Sequence, residues 1–174
     1  RVDAMTVSGI NRDVVDAVKA DLGRKQIRLV GRAGSGKSST LALLAKHASI
    51  VHGDRTLVLT FHRTLRNELE HLMRGVVGVP GVVGTSIVIG VMAEFFVDAL
   101  ETLGATVPRL ADGAIDYKEL GGALEACRAA LTDEHVDLLK FCHPERFGFE
   151  HVFVDEAQDW SDAIKLMWSA PDDF

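Results

Sequence analysis

Near the start of the chain, glycine, four further residues, glycine, lysine and serine follow one another, which is the pattern of a phosphate-binding loop. Glycines at these positions let backbone N–H groups turn inward around phosphates, and Lys37 then reaches the β- and γ-phosphates of a nucleotide. The Ser38 hydroxyl is placed to bind Mg²⁺. A glycine-rich turn that binds nothing is the alternative. The predicted nucleotide-binding residues are Gly31, Arg32, Ala33, Gly34, Ser35, Gly36, Lys37, Ser38 and Ser39.

Two consecutive carboxylates, Asp155 and Glu156, end an apolar stretch that begins at His151. Parallel sheets bind ligands at the carboxyl ends of their strands, so an acid there can meet the ion at Ser38. We predict that Asp155 holds Mg²⁺, directly or through water, because Mg²⁺ prefers few carboxylates and several waters. Glu156 is then placed to orient and deprotonate the attacking water. Taken alone, the pattern also fits a strand that runs into a helix with an acidic first turn.

The segments around these motifs predict strands alternating with helices, and hence an α/β fold with a parallel sheet flanked by helices. Short apolar runs predict strands at 26–30, 56–61, 86–90 and 151–156. Apolar residues at helical spacing predict helices at 10–22, 38–47, 63–76, 92–103, 117–131 and 133–142, the last with Thr132 as its cap. Residues 75–84 and 104–113 are predicted connections.

Composition places the chain among globular proteins, with 47% hydrophobic residues and a net charge of −6. That charge argues against coating nucleic acid by charge alone, although a local basic site is compatible with it. No apolar run approaches the ~20 residues of a membrane span, and no secretion signal opens the sequence, so we expect a cytoplasmic location and no membrane partner. Cys127 and Cys142 lack metal-ligand spacing and are predicted to be buried or half-buried free thiols.

The two motifs closely resemble those of the first RecA-like domain of UvrD/Rep-like superfamily I DNA helicases. Residues 31–38 match the family's Walker A loop, and Val-Asp-Glu-Ala-Gln-Asp at 154–159 matches its form of Walker B. The resemblance covers roughly residues 10–160. It implies a P-loop NTPase fold with ATP and Mg²⁺ as cofactors. It also implies catalytic roles for Lys37, Glu156 and Gln158, with Gln158 sensing the γ-phosphate.

The resemblance extends to segments that contact DNA in the family. Thr60-Phe61-His62-Arg63 stands where the family has its Thr-Phe-Thr-Asn segment, which implies single-stranded DNA as a partner and Thr60, His62 and Arg63 as contacts. An ordinary solvated face is the alternative for the arginines of this helix, because Glu70 lies among them. The chain departs from the family at Val14, where the adenine-binding glutamine belongs, and residues 86–96 lack the family's histidine.

The resemblance also implies that residues 1–174 form a single, partial RecA-like domain, with a helical insertion at about 92–148. The chain begins at Arg1, and the family's second RecA-like domain, with its arginine fingers, is not encoded in it. In the family, a strand that follows the acidic motif inserts beside the loop-bearing strand. We therefore expect either a gap between residues 26–30 and 151–155 or a sheet closed in another way.

The leading hypothesis is an ATP-binding and ATP-hydrolysing module of a DNA helicase, which without its second motor domain binds nucleotide weakly and has negligible ATPase activity. The alternative is a nucleotide-dependent, DNA-binding regulatory ATPase that does not unwind DNA. A small-molecule kinase shares the phosphate loop but does not account for the motif at 155–159.

Overall fold

The computed structural model describes residues 2–6, 12–22, 26–30 and 34–155. The described residues form two compact units, the first extending up to Gly90 and including Phe149–Asp155, and the second comprising Val91–Gly148. Within those ranges, no helix has the length and apolar character needed to cross a membrane. The elements in chain order are β1 (Val2–Thr6), α1 (Arg12–Asp21), β2 (Gln26–Val30), α2 (Lys37–Lys46), a π-helix (His47–His52), β3 (Thr56–Thr60), α3 (Arg63–Val77), β4 (Ile87–Val91), α4 (Met92–Thr102), α5 (Tyr117–Ala130), α6 (Asp133–Cys142), α7 (Pro144–Phe147) and β5 (His151–Val154).

A three-stranded parallel sheet in the order β4-β3-β5 forms the centre of the first unit, and the prediction of an α/β fold with a parallel sheet flanked by helices is confirmed. Thr56 pairs with His151 and Leu59 with Val154, so β3 and β5 run side by side to the same edge. All five residues of β3 are buried, as expected of a continuous apolar run in the middle of a sheet.

A second, two-stranded parallel sheet is formed by β1 and β2, with Val2 opposite Gln26 and Thr6 opposite Val30. Among the described strands, β2 and β5 belong to different sheets, which agrees with the first of the two expected arrangements. The strand β1 was not predicted from the sequence. Its five residues, Val-Asp-Ala-Met-Thr, are too few and too mixed in polarity to show a periodicity.

The core of the first unit forms where α2 and α3 pack against β3. Phe153 of β5 packs against this cluster and also against a smaller one that joins α1 to α2. The main cluster contains Leu41, Ala42, Ala45, Val58, Leu69, Met73, Val77, Val83 and Ile87, and the smaller contains Val15, Val18 and Leu44. Because α2 contributes to both clusters, its position over the sheet is fixed from two sides.

The sequence predicted that the helix α2 ends at His47. Instead, the helical chain continues beyond Lys46 as the π-helix to His52 and ends at Gly53, which has φ of 77°. The Lys46 ammonium donates to the carbonyl of Val76 at 2.8 Å. The Ser49 hydroxyl donates to Thr56 Oγ1 at 3.0 Å. These tertiary contacts hold the extension, which is why helical periodicity did not predict it.

The second unit is helical. Its helices α4, α5 and α6 begin and end within one residue of the predicted bounds, and Thr132 accepts from the backbone N–H of His135 in a capping box that confirms its predicted role. Arg146 of α7, a helix that was not predicted, donates to Asp98 at 2.9 Å. The expectation of one partial domain with a helical insertion stays a prediction.

The two thiols differ in their surroundings. Cys127 is half-buried, as predicted, and burial raises the pKa of its thiol. The prediction for Cys142 is wrong, because this side chain is exposed. No residue of α6 is buried, and Leu138 and Phe141 are exposed as well, so the apolar residues of this helix do not mark a core face in the described structure.

Candidate nucleotide site

The described part of the predicted phosphate loop contains two glycines in the left-handed backbone region. Gly34 has φ of 75° and Gly36 has φ of 84°. Other residues rarely adopt these angles, so the turn into α2 requires glycine at both positions. Gly36 is the N-cap of α2, and Lys37 and Ser38 are the first residues of the helix. Gly31, Arg32 and Ala33 lie outside the described residues.

The amino end of α2 is suited to an anion. The first N–H groups of an α-helix have no carbonyl partner within the helix, and here no side chain caps them. The first turn contains no acidic residue that would compete with a bound anion. In the described structure the Ser35 hydroxyl is buried without a hydrogen-bond partner. An orphaned donor beside an uncapped helix start fits a phosphate group.

The two predicted metal ligands meet at this helix start. The Ser38 hydroxyl lies 3.1 Å from one carboxylate oxygen of Asp155 and 3.3 Å from the other, although 117 positions separate them in the chain. Asp155 is 8% exposed, and its backbone N–H donates to the carbonyl of Leu59 at 2.9 Å. That bond continues the ladder between β5 and β3, so the sheet holds the carboxylate below the start of α2.

The spacing of the Ser38 and Asp155 oxygens suits Mg²⁺. Neighbouring ligands of an octahedral ion with bonds of 2.0–2.1 Å are about 3 Å apart, which matches the separation of Ser38 and Asp155. Within the described ranges, no three His, Cys, Asp or Glu side chains cluster as a metal site. One hydroxyl and one carboxylate suit an ion that takes its remaining ligands from water and phosphate, so the residues fit Mg²⁺.

Several predicted site residues are not placed by the structure. Glu156 and Gln158 lie outside the described residues, as does Asp159, so the predicted base and the predicted γ-phosphate sensor stay predictions. Lys37 and Ser39 are described on the first turn of α2 and are half-buried.

The predicted nucleic-acid contacts at the end of β3 differ in accessibility. His62 and Arg63 are exposed at the start of α3, whereas the Thr60 side chain is 0% exposed and offers no surface to a nucleic acid. Phe61 was not a candidate, because it completes an apolar run, yet its ring is 42% exposed and lies 6.1 Å from that of His62. Bases stack on exposed aromatic rings, so Phe61 joins His62 and Arg63 as a candidate contact.

Another arginine of α3, Arg74, forms an ion pair with an acidic side chain. Arg74 donates to Glu70 at 2.6 Å, one helical turn earlier. Both side chains are partly exposed to solvent. An exposed pair at this spacing is ordinary on a solvated helix face, which is the interpretation that Arg74 supports.

No family model matches the chain, and neither a curated protein nor a solved structure matches it.

Proposed function

We propose that the chain is the ATP-binding and ATP-hydrolysing module of a superfamily I, UvrD/Rep-like DNA helicase, built on a RecA-like domain. One observation supports the nucleotide site above all others, namely the contact between Ser38 and Asp155 at the start of α2. The two residues come from motifs that were predicted separately. A chance pair of motifs has no reason to place these two oxygens at the spacing of neighbouring metal ligands.

In the proposed reaction, the N–H groups at the start of α2 and the Lys37 ammonium bind the phosphates, while Ser38 and Asp155 hold Mg²⁺. When bound, Mg²⁺ neutralises charge on the β- and γ-phosphates. Water attacks the γ-phosphorus, the bond to the oxygen bridging the β- and γ-phosphates breaks, and Glu156 accepts the proton that the water loses. Gln158 senses the γ-phosphate, as the family resemblance implies.

The helicase part of the proposal depends on the edge of the sheet where β3 and β5 end. The exposed Phe61, His62 and Arg63 follow β3, and Asp155 follows β5 next to it. A strand of DNA bound at Phe61, His62 and Arg63 would therefore lie close to the nucleotide site, along the same edge of the sheet. ATPase activity that single-stranded DNA stimulates, with strand separation, in a protein containing this chain supports a helicase. Stimulation without strand separation supports the regulatory ATPase.

Nucleotide binding is tested by Lys37→Ala. Loss of a charge-assisted hydrogen bond to phosphate should weaken the binding of Mg²⁺ and a fluorescent ATP analogue by about 10- to 100-fold. Lys46→Ala is the matched control, because this lysine lies at the other end of α2 and donates to Val76. Titration of both variants gives the two affinities. Equal affinity of Lys37→Ala and the parent chain contradicts the assignment of the loop.

A further inference from the structure

The side chain of Thr60, the last residue of β3, is completely buried, and its hydroxyl has no hydrogen-bond partner in the described structure. A buried hydroxyl without a partner costs stability, so such a group needs an explanation. Thr56 on the same strand is equally buried, but its hydroxyl accepts a hydrogen bond from Ser49 at 3.0 Å. In the described structure, the hydroxyl of Thr56 is therefore hydrogen-bonded and the hydroxyl of Thr60 is not.

The register of the sheet places Thr60 beside the candidate metal ligand. Leu59 pairs with Val154, and the bond from the Asp155 N–H to the Leu59 carbonyl extends the ladder by one residue, so Thr60 lies opposite Asp155. Side chains of residues that lie opposite each other project to the same face of a sheet. The orphaned hydroxyl is therefore a neighbour of the Asp155 carboxylate.

That face is the one covered by α2. Side chains alternate along a strand, so Thr56, Val58 and Thr60 share a face. Val58 packs in the cluster formed with α2 and α3, and Thr56 contacts Ser49, in the π-helix that continues α2. Continuing this direction along β3 brings Thr60 under the amino end of α2, where Ser38 meets Asp155.

We propose that Thr60 is a positioning residue of the metal site and donates a hydrogen bond to the Asp155 carboxylate when Mg²⁺ and nucleotide are bound. In the described structure the Ser38 hydroxyl donates to this carboxylate. A carboxylate accepts several hydrogen bonds, so Asp155 can take a further donor when the ion is bound. The Thr60 hydroxyl, which has no partner in the described structure, supplies that donor and holds the carboxylate in the orientation that binds the ion.

This inference rests on the proposed function, and Thr60→Val and Thr60→Ser test it in the 174-residue chain. Valine keeps the shape and removes the hydroxyl. Because no bond is lost, the thermal midpoint of unfolding without ligand should stay equal or rise. Affinity for a fluorescent ATP analogue should fall about tenfold with Mg²⁺, as expected for one hydrogen bond to a charged group, and stay unchanged with EDTA. Serine keeps the hydroxyl and should restore the Mg²⁺-dependent affinity.

Thr56→Val is the matched control on the same strand. It leaves the Ser49 hydroxyl without its partner and should lower the unfolding midpoint, while the Mg²⁺-dependent affinity stays that of the parent chain. The role of Thr60 is overturned if Thr60→Val binds the ATP analogue with the affinity of the parent chain in the presence of Mg²⁺. It is also overturned if this variant loses as much affinity with EDTA as with Mg²⁺, or if its unfolding midpoint is lowered. A parent chain that binds no nucleotide under either condition instead refutes the proposed function, and the inference with it.

Discussion

At the scale of single residues, His47 lies in surroundings that disfavour its protonated form. It is the first residue of the π-helix, and its ring lies edge to face with that of His52 at 4.9 Å. Partial burial, and then the positive charges of Lys19 and His52, lower the pKa of His47 below its ordinary value of 6.5. The folded protein therefore resists protonation of this side chain more than the unfolded chain does.

This difference predicts a loss of stability on acidification. As the pH falls below 6.5, the unfolded chain takes up a proton at His47 and the folded protein does not, so the free energy of unfolding decreases until the lowered pKa is reached. His47→Gln should reduce the slope of that decrease, by less than the about 1.4 kcal/mol per pH unit that one whole proton gives. Urea unfolding between pH 5 and 8 measures the slope.

The control for His47 is His71→Gln on the exposed side of α3, which changes one histidine away from the π-helix. A slope that falls equally in both variants, or in neither, contradicts the assignment to His47.

The sequence predicted the chemistry of single residues better than their surroundings. Ser38 and Asp155 follow from motifs in which residue type and spacing are dictated by phosphate and metal, and the structure brings their oxygens together. The burial of Thr60 and the exposure of Phe61 were not predictable, because both belong to one apolar run whose last buried position depends on where the sheet ends. The prediction that Cys142 is buried or half-buried was wrong for a related reason, because no residue of its helix is buried.

At the scale of elements, the first and the last arginine of α3 lie in different settings. Arg63 is at the exposed first position of the helix, near the end of β3, whereas Arg74 lies in the last turn, at the far end of the helix. If a phosphate backbone follows the sheet edge, Arg63 is the one that contacts it.

In a protein that contains this chain and binds single-stranded DNA, Arg63→Ala should therefore weaken binding. It should also lower the slope of log affinity against log salt by about 0.7, the contribution of one phosphate contact on a single strand. Arg74→Ala should leave the slope unchanged, because its partner is Glu70. Fluorescence anisotropy over a series of salt concentrations measures both slopes. Equal slopes for Arg63→Ala and the parent protein would show that Arg63 makes no phosphate contact and belongs to an ordinary solvated helix face.

Element bounds were predictable where one periodicity decided them. The strand at 26–30 and the helix at 133–142 have the predicted bounds, because one is a short apolar run and the other a capped, periodic segment. The strand β5 begins at His151 as predicted but ends at Val154, before the predicted carboxylates. The π-helix depends on contacts with other elements, through Lys46 and Ser49, and a single segment carries no signal for it.

At the scale of the whole molecule, the first unit combines two parallel sheets that share no ladder within the described strands. Alternating strands and helices predicted parallel pairing but could not predict strand order, which depends on which strands meet in space. The order β4-β3-β5 matters for the proposed site because it places the ends of β3 and β5 together. Ser38 belongs to α2, the helix that follows β2 in the chain, so its contact with Asp155 joins α2 to the end of β5.

The central claim is that Ser38 and Asp155 together hold a divalent ion with a bound nucleotide, and electron paramagnetic resonance of Mn²⁺ in place of Mg²⁺ tests it most directly. With a non-hydrolysable ATP analogue present, the parent chain should take up one Mn²⁺. Asp155→Asn, which removes the ligand charge, should weaken this uptake about tenfold or more. Glu150→Gln, at the other end of β5, should bind Mn²⁺ as the parent does. Equal uptake by Asp155→Asn and the parent chain would contradict the account.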